Sequence, residues 1–289
     1  MAIIEHISDT ARWVAMYRAM ETDRPDALFR DPYARRLAGD RGAQIVDTMP
    51  GGRATAWAMI VRTAVLDETI LETIARQNVD LVVNLAAGLD ARAWRLPLPP
   101  TLRWVDVDLP AILNYKTEML QGEHPVCRYE AITTDLTDST ARMALLTRLG
   151  AESQRALVVT EGLLIYLTPE QVSELARDLY SVGSFRWWTS DLASPRLLKM
   201  LQRRWGPALH AGNAPFRFGP ADGTQFFVPF GWREVTFRSS LEEAHRLHRE
   251  MRIAWVWRLM ARLSPKKQRE QYRRMAGYIL LERAAIGSG

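Results

Sequence analysis

From Asp80 onward, short apolar runs alternate with helical segments. "LVVNLA", "RWVDVD", "YEAIT", "ALVVTEG" and "FRWWTSD" are separated by Asp90 to Arg95, Pro110 to Gln121, Ser139 to Leu149 and Pro169 to Ser181. The runs have the length of strands and are rich in β-branched and aromatic residues. Strand and helix in regular alternation predict parallel strands joined by right-handed crossovers, a doubly wound α/β sheet. After Asp191 the rhythm loosens. "RLLKMLQRRWG" reads as a helix, "GTQFFVPFGW" as loop with a short strand, and "REVTFRSS" as a sixth strand. Basic helices follow, and "RMAGYILLERA" completes a seven-stranded sheet. Upstream, "SDTARWVAMYRAMETD" starts a helix at a Ser8 or Asp9 cap, and a short helix in "LFRDPYARRLAG" closes at Gly39. Arg53 to Gln77 keeps helical periodicity for about seven turns. The expected organisation is an N-terminal helical cap over residues 1–78 and an α/β domain over 79–289. Substrate-cap elements are expected at about 195–225 and 240–272.

Composition narrows the class. A chain of 289 residues, 47% hydrophobic, can bury a full core. It holds no run approaching the roughly 18 apolar residues of a membrane span. "MAIIEHISDTARW" has no basic n-region, so a cytoplasmic protein is expected. A single cysteine, Cys127, excludes an intramolecular disulfide framework and a multi-cysteine zinc site, and it is expected to be buried. The net charge of +5 is local: ten Lys/Arg lie between His245 and Arg274 against Glu250 and Glu270. That pattern suits a solvated helix face whose arginine stems cover Trp255 and Trp257. Attraction to an anionic substrate or membrane surface is the alternative.

Ligands of an open α/β sheet bind beyond the carboxyl ends of its strands, at the switch point of strand order. Here the first strand runs into the turn of "VVNLAAGLDARAWRL", whose one glycine is Gly88. The second strand ends in "RWVDVDLP", offering Asp106 and Asp108 on one face, with Asp108 nearer the strand end. An acid there holds ribose hydroxyls, in dinucleotide sites and S-adenosylmethionine sites alike. A pyrophosphate needs several glycines and a helix N-terminus free of negative charge. "AAGLDAR" lacks that spacing and puts Asp90 where it would repel phosphate. S-adenosylmethionine carries a sulfonium and an ammonium instead, so it is favoured over NAD. The expected main role of Asp90 itself is a helix N-cap.

The stretch "VVNLAAGLDARAWRL", with "VDVDLPAILNYK", "TTDL" and "TEGLLIYLTPEQV", resembles the leucine carboxyl methyltransferase family. The likeness is closer to its bacterial branch of S-adenosylmethionine-dependent methyltransferases and polyketide carboxyl O-methyltransferases. It covers about residues 8 to 192 and, more loosely, "FGW" and "AGYILLERA". The resemblance implies a class I methyltransferase fold, a seven-stranded sheet with an N-terminal helical cap and a C-terminal substrate-cap insertion. It also implies a cofactor site. Ala86, Ala87 and Gly88 match the glycine-rich turn, and Asp108 matches the ribose ligand. Asp135 and Leu136 match the pair at adenine, and Arg62 matches the arginine that pairs with the methionine carboxylate. Glu161 and Tyr166 match residues beside the reacting methyl. The family's first glycine is Ala86 here, and its methyl is expected either to crowd the methionine moiety or to force a negative φ.

Methyl transfer from a sulfonium is an in-line displacement, so alignment is the enzyme's main task. "TEGLLIYLTPEQ" has no Asn-Pro-Pro-Tyr type motif, and basic residues alone do not make a nucleic-acid binder. A carboxylate acceptor is ionised near pH 7 and needs a cation rather than a base. A phenol or alcohol acceptor needs a base. Of the five histidines, His245 and His248 are expected three apart on a helix, as a surface pair or, alternatively, supplying a base. "RRWGPALHAGNAPFRFGP" is the candidate substrate wall, with Arg203, Arg204 and Arg217 as candidate cations. Glu161 is expected to orient the cofactor rather than move a proton. The resulting reading is a small-molecule O-methyltransferase acting on a carboxylate of a secondary metabolite. The alternatives are a phenol O-methyltransferase, or a repurposed fold without methyl transfer.

Overall fold

Two runs, Leu81–Leu85 and Ala156–Thr160, are buried along their whole length, as strands covered on both faces must be. They form the centre of the sheet. The computed structural model describes residues 7–211, 214–251, 254–256 and 264–284. Three helices come first: α1 (Ile7–Thr22), α2 (Ala34–Thr48) and α3 (Gly52–Gln77). The alternating part follows as β1 (Leu81–Leu85), α4 (Arg92–Arg95), β2 (Arg103–Asp108), α5 (Pro110–Met119) and β3 (Arg128–Thr133). It continues through α6 (Ser139–Ala151), β4 (Ala156–Thr160), α7 (Pro169–Ser181) and β5 (Phe185–Ala193). Last come α8 (Pro195–Ala211), β6 (Trp232–Ser239), α9 (Ser240–Arg246), α10 (Lys266–Arg273) and β7 (Ala276–Arg283).

The sheet order is β3-β2-β1-β4-β5-β7-β6. β7 runs antiparallel to both its neighbours. The order reverses between β1 and β4, so the crevice for a ligand opens beyond their carboxyl ends. Alternate residues feed opposite faces. Val83, Val105 and Val158 pack with Leu146 of α6, Leu175 of α7 and Trp188 on one side. Val82, Trp104 and Val159 pack with Ile70 and Ile74 of α3 on the other. Local chemistry starts the helices where the chain leaves the sheet. The Asp138 carboxylate accepts from the first turn of α6, and Thr168 and Gln171 form a capping box on α7.

The structure departs from the sequence reading at four element ends. α2 does not close at Gly39 but kinks there, at φ 58°, and resumes because Ile45 and Val46 still face the core. α4 starts at Arg92 rather than Asp90. "GTQFFVPF" is a 3-10 turn with Pro229 inside, closed by Gly231 at φ 86°, rather than loop with a short strand. α9 ends at Arg246, so His248, at φ 53°, lies past the helix that was expected to carry both histidines.

The basic segment is less bare than its composition suggests. Arg246 pairs with Glu68 and Glu243, buried Arg249 with Glu21, and Arg274 with Glu234 and Glu270. Trp255 is 62% exposed, so arginine stems do not cover it. Arg252, Trp257, Arg258 and Arg262 lie outside the described residues. Among the described residues no helix is long and apolar enough to cross a membrane, and no cluster of metal-ligating side chains occurs. Cys127 is buried, and burial pushes its thiol up to about 11.

Beneath the crevice lies a saturated carboxylate. Asp106 accepts from Asn84 Nδ2 at 3.0 Å, Trp104 Nε1 at 2.8 Å, the Tyr129 hydroxyl at 3.0 Å, and Lys116 Nζ. Lys116 is itself 1% exposed. Asp106→Ala leaves that ammonium buried without its partner, a loss expected to cost about 3–5 kcal/mol. Urea denaturation at unchanged m-value measures it, and a loss below about 1 kcal/mol would show that Lys116 does not depend on Asp106.

Candidate active site

β1 ends at Leu85, and the chain turns at once. Ala86 takes φ 54° and Gly88 φ 52°. The expectation of a negative φ at Ala86 therefore fails: the turn holds the left-handed geometry despite the methyl group. An L-residue pays about 1–2 kcal/mol for that conformation. Neighbouring bonds hold the loop in place: the Ala87 N–H donates to Val107 O at 3.2 Å, and Gly88 N–H donates to Asp108 Oδ2 at 2.7 Å.

A cavity of about 960 Å³ opens over this turn. Its floor is the 86–90 loop, Asn84, Glu161 and Asp191. Helix α1 supplies Thr10, Trp13 and Tyr17, α3 supplies Arg62, and Tyr278 enters from β7. Trp205 of α8, Phe216 and Phe218 complete an aromatic side.

A buried ionic network runs under the floor. Glu161 sits between two arginines, taking Arg62 Nε at 2.9 Å and Arg92 Nη1 at 2.7 Å. Arg62 also reaches Asp191 at 3.4 Å, and Asp191 accepts the Gly162 N–H at 2.6 Å. Arg92 continues to Asp90 at 2.7 Å and Asp67 at 2.6 Å. Arg95 shares Asp67 at 2.6 Å, while Arg18 holds Asp31 at 2.8 Å and donates to Leu89 O at 2.6 Å. The four arginines 18, 62, 92 and 95 thus face five carboxylates, of residues 31, 67, 90, 161 and 191. Burial opposes ionisation of Glu161, but Arg92 and Arg62 outweigh it and hold the carboxyl below its usual range. Asp90 is held well below for the same reason, by Arg92 first and Lys116 next.

The sequence profile of the leucine carboxyl methyltransferase family matches residues 11–180. The chain belongs to this family. A Streptomyces coelicolor relative is 39% identical over 178 residues, which is 57% of this chain and 61% of the relative. That alignment spans less than two thirds of the relative's length. A Frankia alni relative is 32% identical over 241 residues, 79% of this chain and 83% of that one. Both are provisionally named as S-adenosyl-L-methionine-dependent methyltransferases. Among solved structures, a DUF574 family protein from Streptomyces avermitilis superposes with TM-score 0.60 at 13% identity, over 96% of this chain and 97% of that one. A Thermobifida fusca protein provisionally named a methyltransferase gives 0.59 at 15% identity, over 98% and 96%. The fold is that of the class I methyltransferases.

Of the positions that match the leucine carboxyl methyltransferase motifs, Arg62, Ala86, Ala87, Gly88, Glu161 and Tyr166 all line the cavity. Asp108 adjoins it through Gly88. Burial pushes its carboxyl up, against the N–H groups of Gly88 and Leu109. Asp135 and Leu136 stand apart from the cavity. Asp135 is exposed and accepts from Thr137 N–H and hydroxyl at 2.8 and 2.7 Å, while Leu136 is half-buried against the core. Tyr166 packs on Phe216 at 5.4 Å, and burial raises its phenol. Asp90 is not the N-cap of α4; Ala91 holds that position. The Asp90 carboxylate still takes the Arg92 N–H at 2.9 Å, and it also takes Asn84 Nδ2 at 3.1 Å.

All three candidate arginines are exposed, and of them only Arg204 lines the cavity. His245 and His248 are exposed and do not line it, and His245 lies 3.3 Å from Glu250. Sequence reasoning missed Asp191, Arg92, Tyr278 and the α1 residues. Asp191 was findable as a strand-end acid in "WWTSD". Tyr278 reaches the site only because β7 is inserted beside β5.

Ala86→Gly removes the left-handed penalty and is expected to raise stability by about 1 kcal/mol in urea denaturation. A loss of stability would mean that the methyl makes compensating contacts. Glu161 and Asp90, with carboxyls held low in the fold, contribute stability that is present above the unfolded carboxylate range. That contribution is lost as pH falls through their folded values. Stability should therefore drop below about pH 4 to 5, and Glu161→Gln should flatten the slope. An unchanged slope would mean that Glu161 is not held ionised.

Proposed function

We propose that this chain transfers a methyl group from S-adenosylmethionine to an oxygen of a small molecule, a carboxylate in preference to a phenol. The observation that carries the cofactor is the pairing of both signs of charge at the turn: Arg62 lines the cavity as a partner for a carboxylate, and the ionised Asp90 and Glu161 line it as partners for cationic groups. S-adenosylmethionine, with sulfonium, ammonium and carboxylate, presents both signs and complements it. A pyrophosphate would meet Asp90, ionised and aimed at the turn.

The residues fit the cofactor's parts. Arg62 pairs with the methionine carboxylate, and Glu161 and Asp191 set its guanidinium. Asp108 has lone pairs left for ribose hydroxyls. Asp106 has four donors and none to spare. Asp135 and Leu136, outside the cavity lining, would meet the adenine where it extends past Asp108 toward β3. The bound cofactor supplies an electrophilic methyl on sulfur, and transfer needs the acceptor oxygen in line with it. Tyr166, with Thr10 on its hydroxyl and Phe216 on its ring, borders that region.

The preference for a carboxylate rests on the absence of a free base among the described lining residues. Asp90, Glu161 and Asp191 are engaged by arginines or N–H groups, Glu250 lies 3.3 Å from His245, and burial pushes the Tyr17 phenol up to about 12. No histidine is among the described lining residues. A carboxylate is already ionised and needs none.

S-adenosylhomocysteine should raise the melting temperature, and NAD should not. Stabilisation by NAD alone overturns the cofactor reading. Asp108→Ala should weaken S-adenosylhomocysteine by about 1.5–3 kcal/mol in calorimetry, having lost a charge-assisted acceptor. A larger loss in stable Asp106 variants would reverse the choice of acid. With a carboxylate acceptor the transfer rate should be flat from about pH 6 to 8. A rate that climbs through that range, and that His245→Gln or His248→Gln flattens, favours the phenol.

A further inference from the structure

The corner between α2 and α3 reads "TMPGGRATAW", and neither the cofactor nor the sheet accounts for its two glycines. Its carbonyls gather side chains from two other helices. Pro50 O accepts from Arg204 Nε and from Trp205 Nε1, each at 3.2 Å, while Gly52 O accepts from the Tyr17 hydroxyl at 2.6 Å. Gly51 sits at φ 68°, and a Cβ there would overlap the Arg204 guanidinium. The missing side chain is what gives the guanidinium its seat.

Arg204 differs from the other arginines that line the cavity. Arg18, Arg53, Arg62 and Arg92 each hold a carboxylate of the protein. Among the described residues Arg204 donates to a backbone carbonyl through Nε and stands over the Trp205 ring at 5.4 Å, no carboxylate pairs with it, and its Nη groups keep their donors. Beside it the wall is apolar: Trp205 stacks edge-on against Trp13 at 5.3 Å, and Phe216 packs on Tyr166. Met59 and Met200 add adaptable surface to the same wall. A guanidinium tethered through Nε, with free Nη donors at the exposed edge of an aromatic chamber, suits a carboxylate attached to an apolar body.

We propose that Arg204, seated by Gly51 and the Pro50 carbonyl, is the specificity-determining residue that holds the carboxylate of the acceptor, and that the acceptor is a lipophilic aryl or alkyl monocarboxylate. The inference rests on the carboxylate reading of the function and adds the residue and the substrate class to it.

The test is binding without turnover, on the full chain saturated with S-adenosylhomocysteine. Calorimetry with 1-naphthoate, 4-phenylbutyrate and octanoate, each against its methyl ester, should give affinity for at least one acid. The ester of that acid should bind at least tenfold more weakly. Arg204→Met should cost the acid tenfold or more, leave the ester unchanged, and leave S-adenosylhomocysteine affinity unchanged. Gly51→Ala, which displaces the guanidinium end from its seat, should weaken the acid by less than Arg204→Met does and leave the ester unchanged, and Arg204→Lys should recover part of the loss. Arg204→Met that binds the acid as wild type does, or acids that bind no better than their esters, would overturn the proposal. So would a panel from which no acid binds. Failure of S-adenosylhomocysteine to bind the wild type would instead count against the cofactor reading, and a rate rising with pH against the carboxylate reading.

Discussion

Arg92 is the residue on which the site depends. It is 2% exposed, and its guanidinium joins Asp67 of α3, Asp90 of the first turn and Glu161 at the end of β4. A buried arginine without such partners would cost several kcal/mol, so the three elements are held at the spacing the ion pairs require. Arg62 and Asp191 extend the same restraint to β5, and Arg18 and Asp31 extend it to α1. The N-terminal helices and the ends of the strands are therefore tied to one electrostatic frame. A ligand bound over the frame meets fixed charges and need not order them on binding, which lowers the cost of association.

The first turn carries a second constraint. Its backbone bends through a left-handed alanine, and the Gly88 N–H is held by Asp108. The carboxylate proposed to read the ribose is thus also the one that closes the loop. Loop geometry and ribose recognition are coupled through a single side chain, while the neighbouring Asp106 is spent on Lys116, Trp104, Tyr129 and Asn84 beneath the sheet. Two acids two residues apart have separate roles because one is saturated by donors from the core and the other closes the first turn through the N–H groups of Gly88 and Leu109.

The cavity divides by chemistry. Charge lies on the floor, where the network is paired and held; aromatic surface lies on the side built from α1, α8 and the segment around Phe216. This division suits a polar cofactor below and an apolar acceptor above. Arg204 stands out in the upper part because its seat at Pro50 and Gly51 leaves donors unused.

Periodicity determined the sheet: buried runs such as "LVVNL" and "ALVVT" can only be central strands, and the helices between them force parallel crossovers. The turn after β1 and the acids of β2 were legible for the same reason, since both follow from where a strand ends. The Gly39 kink was not, because a glycine that stops a helix and one that bends it look alike until Ile45 and Val46 find the core. Nor were the pairings that single out Arg92, Asp191 and Tyr278, which come from α4, β5 and β7 and meet only when the strand order is set. Among Arg203, Arg204 and Arg217 the sequence had no means of choosing. α8 turns Arg204 toward the cavity and leaves Arg203 outside it, and the corner at Pro50 receives one of them. Local pattern sets which residues lie on a strand or a helix; which charges face each other across the crevice is decided by long-range packing, because the partners lie far apart in the chain.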